Sequence, residues 1–342
     1  MRIWDVDNFY LAYGLTFLSD CSLPGVQQCA PTDQAADVRL WFTEEPAWVR
    51  EARRLDRRLL CALPQRPTAD PLLRFFTYGE EEFFEFAYAD ESKFLLDAAG
   101  TRVWASCAPP LVIEDLLTYF VGPVLGFLLR RRGMIPLHAC TMELEGSVIA
   151  LCGPGGAGKS TTAAALALRG IPILCEDVSP LARTGSDFRV PPGYPRVCLW
   201  PESARILTGL PETLPKITPT WEKRYLALDG KTAAFASSPG TLSAVYFLEP
   251  RTAGSNVPRI EEIKPADGLV ELVKNSYMSA LLNKEQRAAE FDVFGCLAES
   301  VVLRKIKPHS AEAKLSALCD LILEDASRLC SERQRVAERA QV

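Results

Sequence analysis

Apolar and polar positions follow two rhythms along this chain. Up to about residue 108 they come in short strand-like pieces separated by turn signals: Asp37 to Phe42, Leu73 to Thr77, Glu82 to Ala87 and Thr101 to Ser106. The segment from Phe83 to Leu95 alternates as an antiparallel sheet with one wet face would. Ala108, Pro109 and Pro110 read as a joint. Beyond it, Val112 to Arg132 reads as one long, mostly buried helix ending near Gly133. A hairpin is expected next, with Ile135 to Leu144 and Ser147 to Cys152 joined by a turn at Glu145 and Gly146. An alanine-rich helix from Thr161 to Arg169, stopped by Gly170, precedes a short apolar strand from Ile171 to Cys175. A helix from Pro201 to Leu207, a strand from Leu242 to Leu248, and two helices over Ala266 to Phe291 and Ala311 to Ala340 complete the pattern. The expected architecture is α/β, with a smaller β-rich domain over residues 1–108 and a larger domain over 109–342.

The break between the second hairpin strand and the alanine-rich helix carries the most specific chemistry. Gly153, Pro154, Gly155, Gly156, Ala157, Gly158, Lys159, Ser160 and Thr161 fit G-x-x-x-x-G-K-[ST]. Glycines there let successive backbone N–H groups turn inward around nucleotide phosphates. Lys159 would reach the β- and γ-phosphates, and the Ser160 hydroxyl would ligate Mg²⁺. Strand, glycine-rich loop and helix together bring phosphate to a helix N-terminus. One helix later an apolar strand ends in Glu176 and Asp177, which puts carboxylates beside the metal position. One can hold Mg²⁺, directly or through water, while its neighbour accepts a proton from an attacking hydroxyl.

Other residues are less decided by their surroundings. His138 lies among apolar residues just ahead of the phosphate-loop strand, and by itself reads as a core histidine. His309, near the last helix, reads as a surface residue. Arg196, Lys216, Lys223 and Arg224 could offset charge on a transferring phosphoryl group, although by spacing alone each reads as a surface base.

Composition narrows the function classes. A 342-residue chain with 48% hydrophobic and 24% charged residues is ordinary for a globular protein. A net charge of −5 argues against a nucleic-acid surface, and the basic runs Arg50 to Arg58 and Arg130 to Arg132 read as solvated helix faces or ends. Eleven scattered cysteines without a C-x-x-C pair, and no signal peptide, point to reduced thiols in a cytoplasmic protein. Two histidines are too few for a histidine-rich metal site. The longest apolar stretch, Leu116 to Leu129, contains Pro123 and is too short to span a bilayer, so no membrane role is expected.

Taken together, His138, the loop Gly153 to Thr161 and the pair Glu176–Asp177 resemble the HPr kinase/phosphorylase family of serine kinases. There, as here, a histidine precedes the first loop glycine by fifteen residues, and an acidic pair ends the next strand. The segments Leu137 to Ala139, Gly156 to Thr161, Arg169–Gly170 and Pro192 to Arg196 look closer still to the HPr-kinase-related proteins found with lasso-peptide biosynthesis. Some of these phosphorylate the C-terminal serine of the precursor peptide. Near the N-terminus, Tyr13–Gly14, Leu23–Pro24 and Ala36 to Val38 also look like that subgroup.

The resemblance implies an HPr-kinase-like phosphate-loop domain using ATP, with GTP an alternative, and Mg²⁺. Asp177 would be the general base, Ser160, Glu176 and Asp177 the metal set, Lys159 and the loop the phosphate site. His138 becomes an active-site residue on this reading, and Arg196 a contact to substrate or phosphate. The partner implied is a peptide or protein serine, and the hexameric HPr enzymes point to a homo-oligomer. Two features depart from the family. Glu176 stands where it has aspartate, and the Ile-Glu-Ile-Arg-Gly signature of the true HPr enzymes is missing, which argues against HPr as substrate and against the reverse phosphorylase reaction. Two alternatives remain: a small-molecule or carboxykinase-like phosphotransferase, and a nucleotide-binding regulator that transfers nothing.

Overall fold

A computed structural model describes residues 8–31, 35–63, 71–254 and 256–340, excluding the side chains of 333, 334 and 336–340. The chain divides into two compact units. The first holds Met1–Gly133 with two later pieces, Ile217–Trp221 and Met278–Asn283; the second holds the remainder.

The first unit is built on a nine-stranded sheet. In spatial order its strands are Gln27–Gln28, Phe9–Ala12, Leu15–Ser19, Val38–Trp41, Arg102–Ser106, Lys93–Asp97, Phe83–Tyr88, Leu73–Tyr78 and Arg57–Leu63. Val38–Trp41 runs parallel to both neighbours, and every other pairing is antiparallel. The short helix Ala47–Ala52 packs Trp48, Val49 and Ala52 against Tyr78, Leu95 and Trp104.

This unit runs past the joint expected at residue 108 to Gly133. The reason is aromatic packing. Phe127 sits 5.1 Å from both Phe75 and Phe84 and 5.7 Å from Phe86, and Phe120 meets Phe17 and Phe42 edge-on. The helical stretch expected as one piece is also broken. It forms Ile113–Tyr119 and Leu125–Arg131 with a wider turn, Phe120–Val124, between them. Pro123 cannot donate to the helix ladder, and Gly122 leaves helical geometry at φ −98° and ψ −106°.

The second unit places Ser147–Cys152 between an antiparallel partner, Ile135–Leu144, and a parallel one, Gly240–Leu248. The sheet continues from Ile135–Leu144 through Val178–Thr184 and Asp187–Val190 back to Gly240–Leu248, so five strands close on themselves. Val302–Lys307 and Arg259–Glu262 extend it beyond Gly240–Leu248. Two helices, Lys159–Ala167 and Leu315–Ala340, share one core with this sheet. Ala163, Ala164 and Ala167 keep the first slender where it meets Leu318, Cys319 and Ile322. No helix among the described residues is long and apolar enough to cross a membrane.

The last third differs from the helical pattern expected for it. Ala266 to Phe291 divides into Pro265–Lys274 and Lys284–Ser300, and Val302–Lys307 is a strand that the sequence reading did not anticipate.

Truncating Phe127 removes the ring common to three aromatic contacts. Phe127→Ala is expected to destabilise the first unit by about 3–5 kcal/mol in urea unfolding, and a loss below about 1 kcal/mol would contradict its role as keystone of that core.

Candidate active site

Strand register explains why His138 stands fifteen residues before Gly153. The hairpin pairs Leu144 with Ser147 and Ala139 with Cys152, so the next step outward sets His138 level with Gly153. On its other side the same strand pairs His138 with Val178, next to Asp177. Two registers therefore hold one histidine between the phosphate loop and the acidic pair.

The loop itself is shaped by left-handed backbone. Gly153 has φ 147°, and a Cβ there would lie 2.6 Å from the Leu248 carbonyl oxygen. Gly158, at φ 104°, precedes the first turn of Lys159–Ala167. Lys159 is 7% exposed, and its Nζ donates to the carbonyls of Gly153 (2.7 Å) and Pro154 (3.4 Å). The Ser160 hydroxyl donates to Glu176 Oε1 at 2.9 Å. Thr161 shares a hydrogen bond with Ser203 at 2.7 Å.

Glu176 and Asp177 occupy the turn between Ile173–Cys175 and Val178–Thr184, two strands that both pair with Ile135–Leu144. The Val178 N–H donates to the Glu176 carbonyl at 2.8 Å across Asp177, whose φ is 66°. A three-residue turn of this hand is uncommon, and aspartate tolerates it better than most residues. Its result is two carboxylates in different surroundings. Glu176 is 3% exposed, whereas the Asp177 side chain is 37% exposed. His138 Nε2 lies 3.1 Å from Asp177 Oδ1, and the Tyr277 hydroxyl donates to Oδ2 at 3.2 Å.

Electrostatics follow the geometry. Burial, reinforced by the charge of Asp177, pushes the Glu176 carboxyl above the ordinary range, while Lys223, Ser160 and Arg196 pull it back. Asp177 moves the other way. Burial would raise it, but the His138 hydrogen bond and charge, helped by Lys223 and Lys159, outweigh burial and hold it below the usual carboxylate range. Lys223 is held above its ordinary value: burial opposes this, and the charges of Glu176 and Asp177 prevail. The nearby thiols are inert, since burial, with Glu176 adding to it, pushes Cys198 up to about 12 and drives Cys140 higher still.

Arg196 is 6% exposed on the strand Arg196–Leu199, with its guanidinium 5.2 Å from the Tyr194 ring centre and its Nε buried without a hydrogen-bond partner. Its charge is felt at Glu176. Lys216 pairs with Glu222, and Arg224 donates to the Leu214 carbonyl. Of the four bases singled out from sequence, Lys223 and Arg196 act on the carboxylates.

Sequence reasoning missed Asn275 and Tyr277, which lie where one continuous helix was expected. Where Ser147–Cys152 ends and the loop turns away, residues 275–277 take over the edge of Ile135–Leu144. The His138 N–H donates to the Asn275 carbonyl (2.8 Å) and the Tyr277 N–H to the Pro136 carbonyl (2.9 Å). The Asn275 side chain accepts from the Gly153 N–H at 2.8 Å and donates to the Glu271 carbonyl at 2.9 Å. One residue thus ties both the histidine strand and the first loop glycine. The available signal was Asn275 itself, a residue favoured just past helix ends.

Among the described residues, no three His, Cys, Asp or Glu side chains gather as a metal cage. The donor set of Ser160, Glu176 and Asp177 nevertheless suits a hard cation that keeps its waters and shares phosphate oxygens. Two adjacent carboxylates, one of them desolvated, favour positive charge between them.

No protein-family model matches the chain. No curated protein matches it either. Among solved structures it is similar to that of the Hpr(Ser) kinase/phosphatase from Coxiella burnetii, with 15% sequence identity, a TM-score of 0.32, and coverage of 60% of this chain and 96% of that one. So low a score leaves the residues themselves to carry the functional reading.

Asn275→Ala leaves the Gly153 N–H buried without its acceptor. It is expected to cost about 1–3 kcal/mol of stability by denaturant unfolding, and an unchanged midpoint would show that the bond is dispensable.

Proposed function

We propose that this protein is an ATP- and Mg²⁺-dependent phosphotransferase that moves the γ-phosphate to a serine hydroxyl of a peptide or protein. The observation that carries the reading is the unequal environment of the two carboxylates. Glu176 is buried and bonded to Ser160, as a metal-holding group would be. Asp177 is half-buried, ionised and fixed through both oxygens by His138 and Tyr277, as a group that receives an acceptor hydroxyl would be.

On this reading Lys159 exchanges the carbonyls of Gly153 and Pro154 for phosphate oxygens. Ser160 and Glu176, with Asp177 alongside, would hold Mg²⁺, which when bound offsets charge on the β- and γ-phosphates. Asp177 orients the acceptor hydroxyl and takes its proton. Its low pKa suits this role, because a loose phosphoryl-transfer transition state asks more for positioning than for basicity. His138 and Tyr277 fix the direction in which the carboxylate faces. Lys223 and Arg196 supply positive charge on the carboxylate side. Retention of a partly exposed, oriented carboxylate speaks against a pure nucleotide-binding regulator, which has no use for a base.

The test is transfer from labelled ATP, and in parallel GTP, to serine-bearing peptides and then to small hydroxyl metabolites. A lasso precursor peptide ending in serine is the first acceptor to try. Transfer to metabolites alone would replace the peptide-kinase reading with a small-molecule one, and nucleotide binding with no transfer to any acceptor would favour the regulator.

Asp177→Asn is expected to lower turnover by about 10²–10⁴ while nucleotide binding stays measurable, and turnover like the wild type would remove Asp177 from the base role. Lys159→Ala should weaken both binding and turnover. Unchanged nucleotide affinity in that variant would count against the loop assignment.

A further inference from the structure

Arg251 is a cation without a counter-charge. Arg205, Arg259, Arg304 and Arg328, in the same unit, each pair with a carboxylate. Arg251 is exposed, and among the described residues no hydrogen bond or ion pair engages it. Glu312 lines a niche of about 20 Å³ together with Arg251, Ala157 and Thr161, but that carboxylate is taken by Arg205. The niche has room for one water and no more.

The fold brings this free cation to the phosphate loop. Arg251 follows Gly240–Leu248, the parallel neighbour of Ser147–Cys152, so it emerges at the same end of the sheet as the loop. The backbone around it is fixed: the Glu249 N–H donates to the Ile306 carbonyl (2.9 Å) and the Thr252 N–H to the Pro308 carbonyl (3.1 Å), while the Thr252 carbonyl accepts from the Ser310 N–H (3.0 Å). From that base the guanidinium reaches Gly158, and its Nη2 lies 2.5 Å from where a Cβ on that glycine would stand. Gly158 caps the N-terminus of Lys159–Ala167, the wrong end of a helix for a cation. The positive end of the helix dipole, the Lys159 ammonium and the Arg251 guanidinium gather on one loop, an arrangement that an anion would relieve. Lys159 borrows the carbonyls of Gly153 and Pro154. Arg251 has no such substitute.

We infer that Arg251 is a further phosphate-binding residue, whose guanidinium donates to a phosphate oxygen of the nucleotide seated on the loop. The inference rests on the nucleotide-binding reading above and adds to it a residue that lies outside the loop motif. A planar fork of donors on a free side chain matches the oxygens of a phosphate, and the charge strengthens each bond.

The experiment is calorimetry on the full chain with ATP and with inorganic tripolyphosphate, both with Mg²⁺, over a range of salt. Arg251→Ala should weaken both ligands by a similar factor, on the order of tenfold to a hundredfold, as the loss of one charge-assisted hydrogen bond would. It should also flatten the fall of affinity with salt. Arg251→Lys, which keeps the charge without the fork, should recover part of the loss, and neither variant should move the unfolding midpoint of the free protein. Unchanged affinity in Arg251→Ala would overturn the inference and leave the nucleotide reading standing. A loss confined to ATP would also overturn it, making Arg251 a contact to base or ribose. A lowered midpoint with an unchanged salt dependence would make Arg251 a support of the loop instead. Failure of wild type to bind either ligand would remove the nucleotide reading itself, and the role of Arg251 with it.

Discussion

Two carboxylates adjacent in sequence, one of them taken out of water, make the constraint around which this site is organised. Like charges so close repel strongly where the dielectric falls, and a buried carboxylate gains little by remaining ionised unless something compensates it. The left-handed turn at Asp177 answers the first problem by sending the two side chains into different surroundings. Lys223, Arg196 and Ser160 answer the second at Glu176, while His138 and Tyr277 hold the two oxygens of Asp177. In the proposed reaction each of these groups would also have a part, so the devices that let the pair exist are the same ones that would make it useful.

Much of this was readable before any coordinates. The phosphate loop carries its own punctuation in glycine, and the hairpin before it is marked by alternation and by the Glu145–Gly146 turn, so local chemistry sufficed. His138 by itself reads as a core residue and enters the site only through the family resemblance; the register shows that its fifteen-residue spacing from Gly153 is simply a hairpin's geometry. Asn275 and Tyr277 were not found, because the residues around them continue an amphipathic rhythm and the break in the helix is dictated by a strand edge far away in sequence. Lys223 sat in a polar stretch that gave no hint of burial. The N-terminal boundary was placed too early for a related reason: Ala108 to Pro110 looks like a linker, but the rings of Phe120 and Phe127 commit the following helices to the preceding sheet.

The cysteines show how composition and place give different information. Six of the eleven are buried, and those around the site have thiols pushed upward by desolvation. They behave as small apolar fillers between strands, which leaves the oxygen and nitrogen groups to carry the chemistry.

The bond between Gly153 and Asn275 has a bearing on how the protein comes into being. It joins residues 122 apart in sequence, whereas the hairpin from Ile135 to Cys152 closes on its own neighbours. Contacts of such long separation form late, after the loop-closure entropy of the intervening chain has been met. A nascent chain can therefore hold the hairpin and its glycine loop well before the loop acquires its final fastening. The finished shape of the glycine loop is then a property of the whole topology, gained when synthesis and docking of the segment beyond residue 274 are complete.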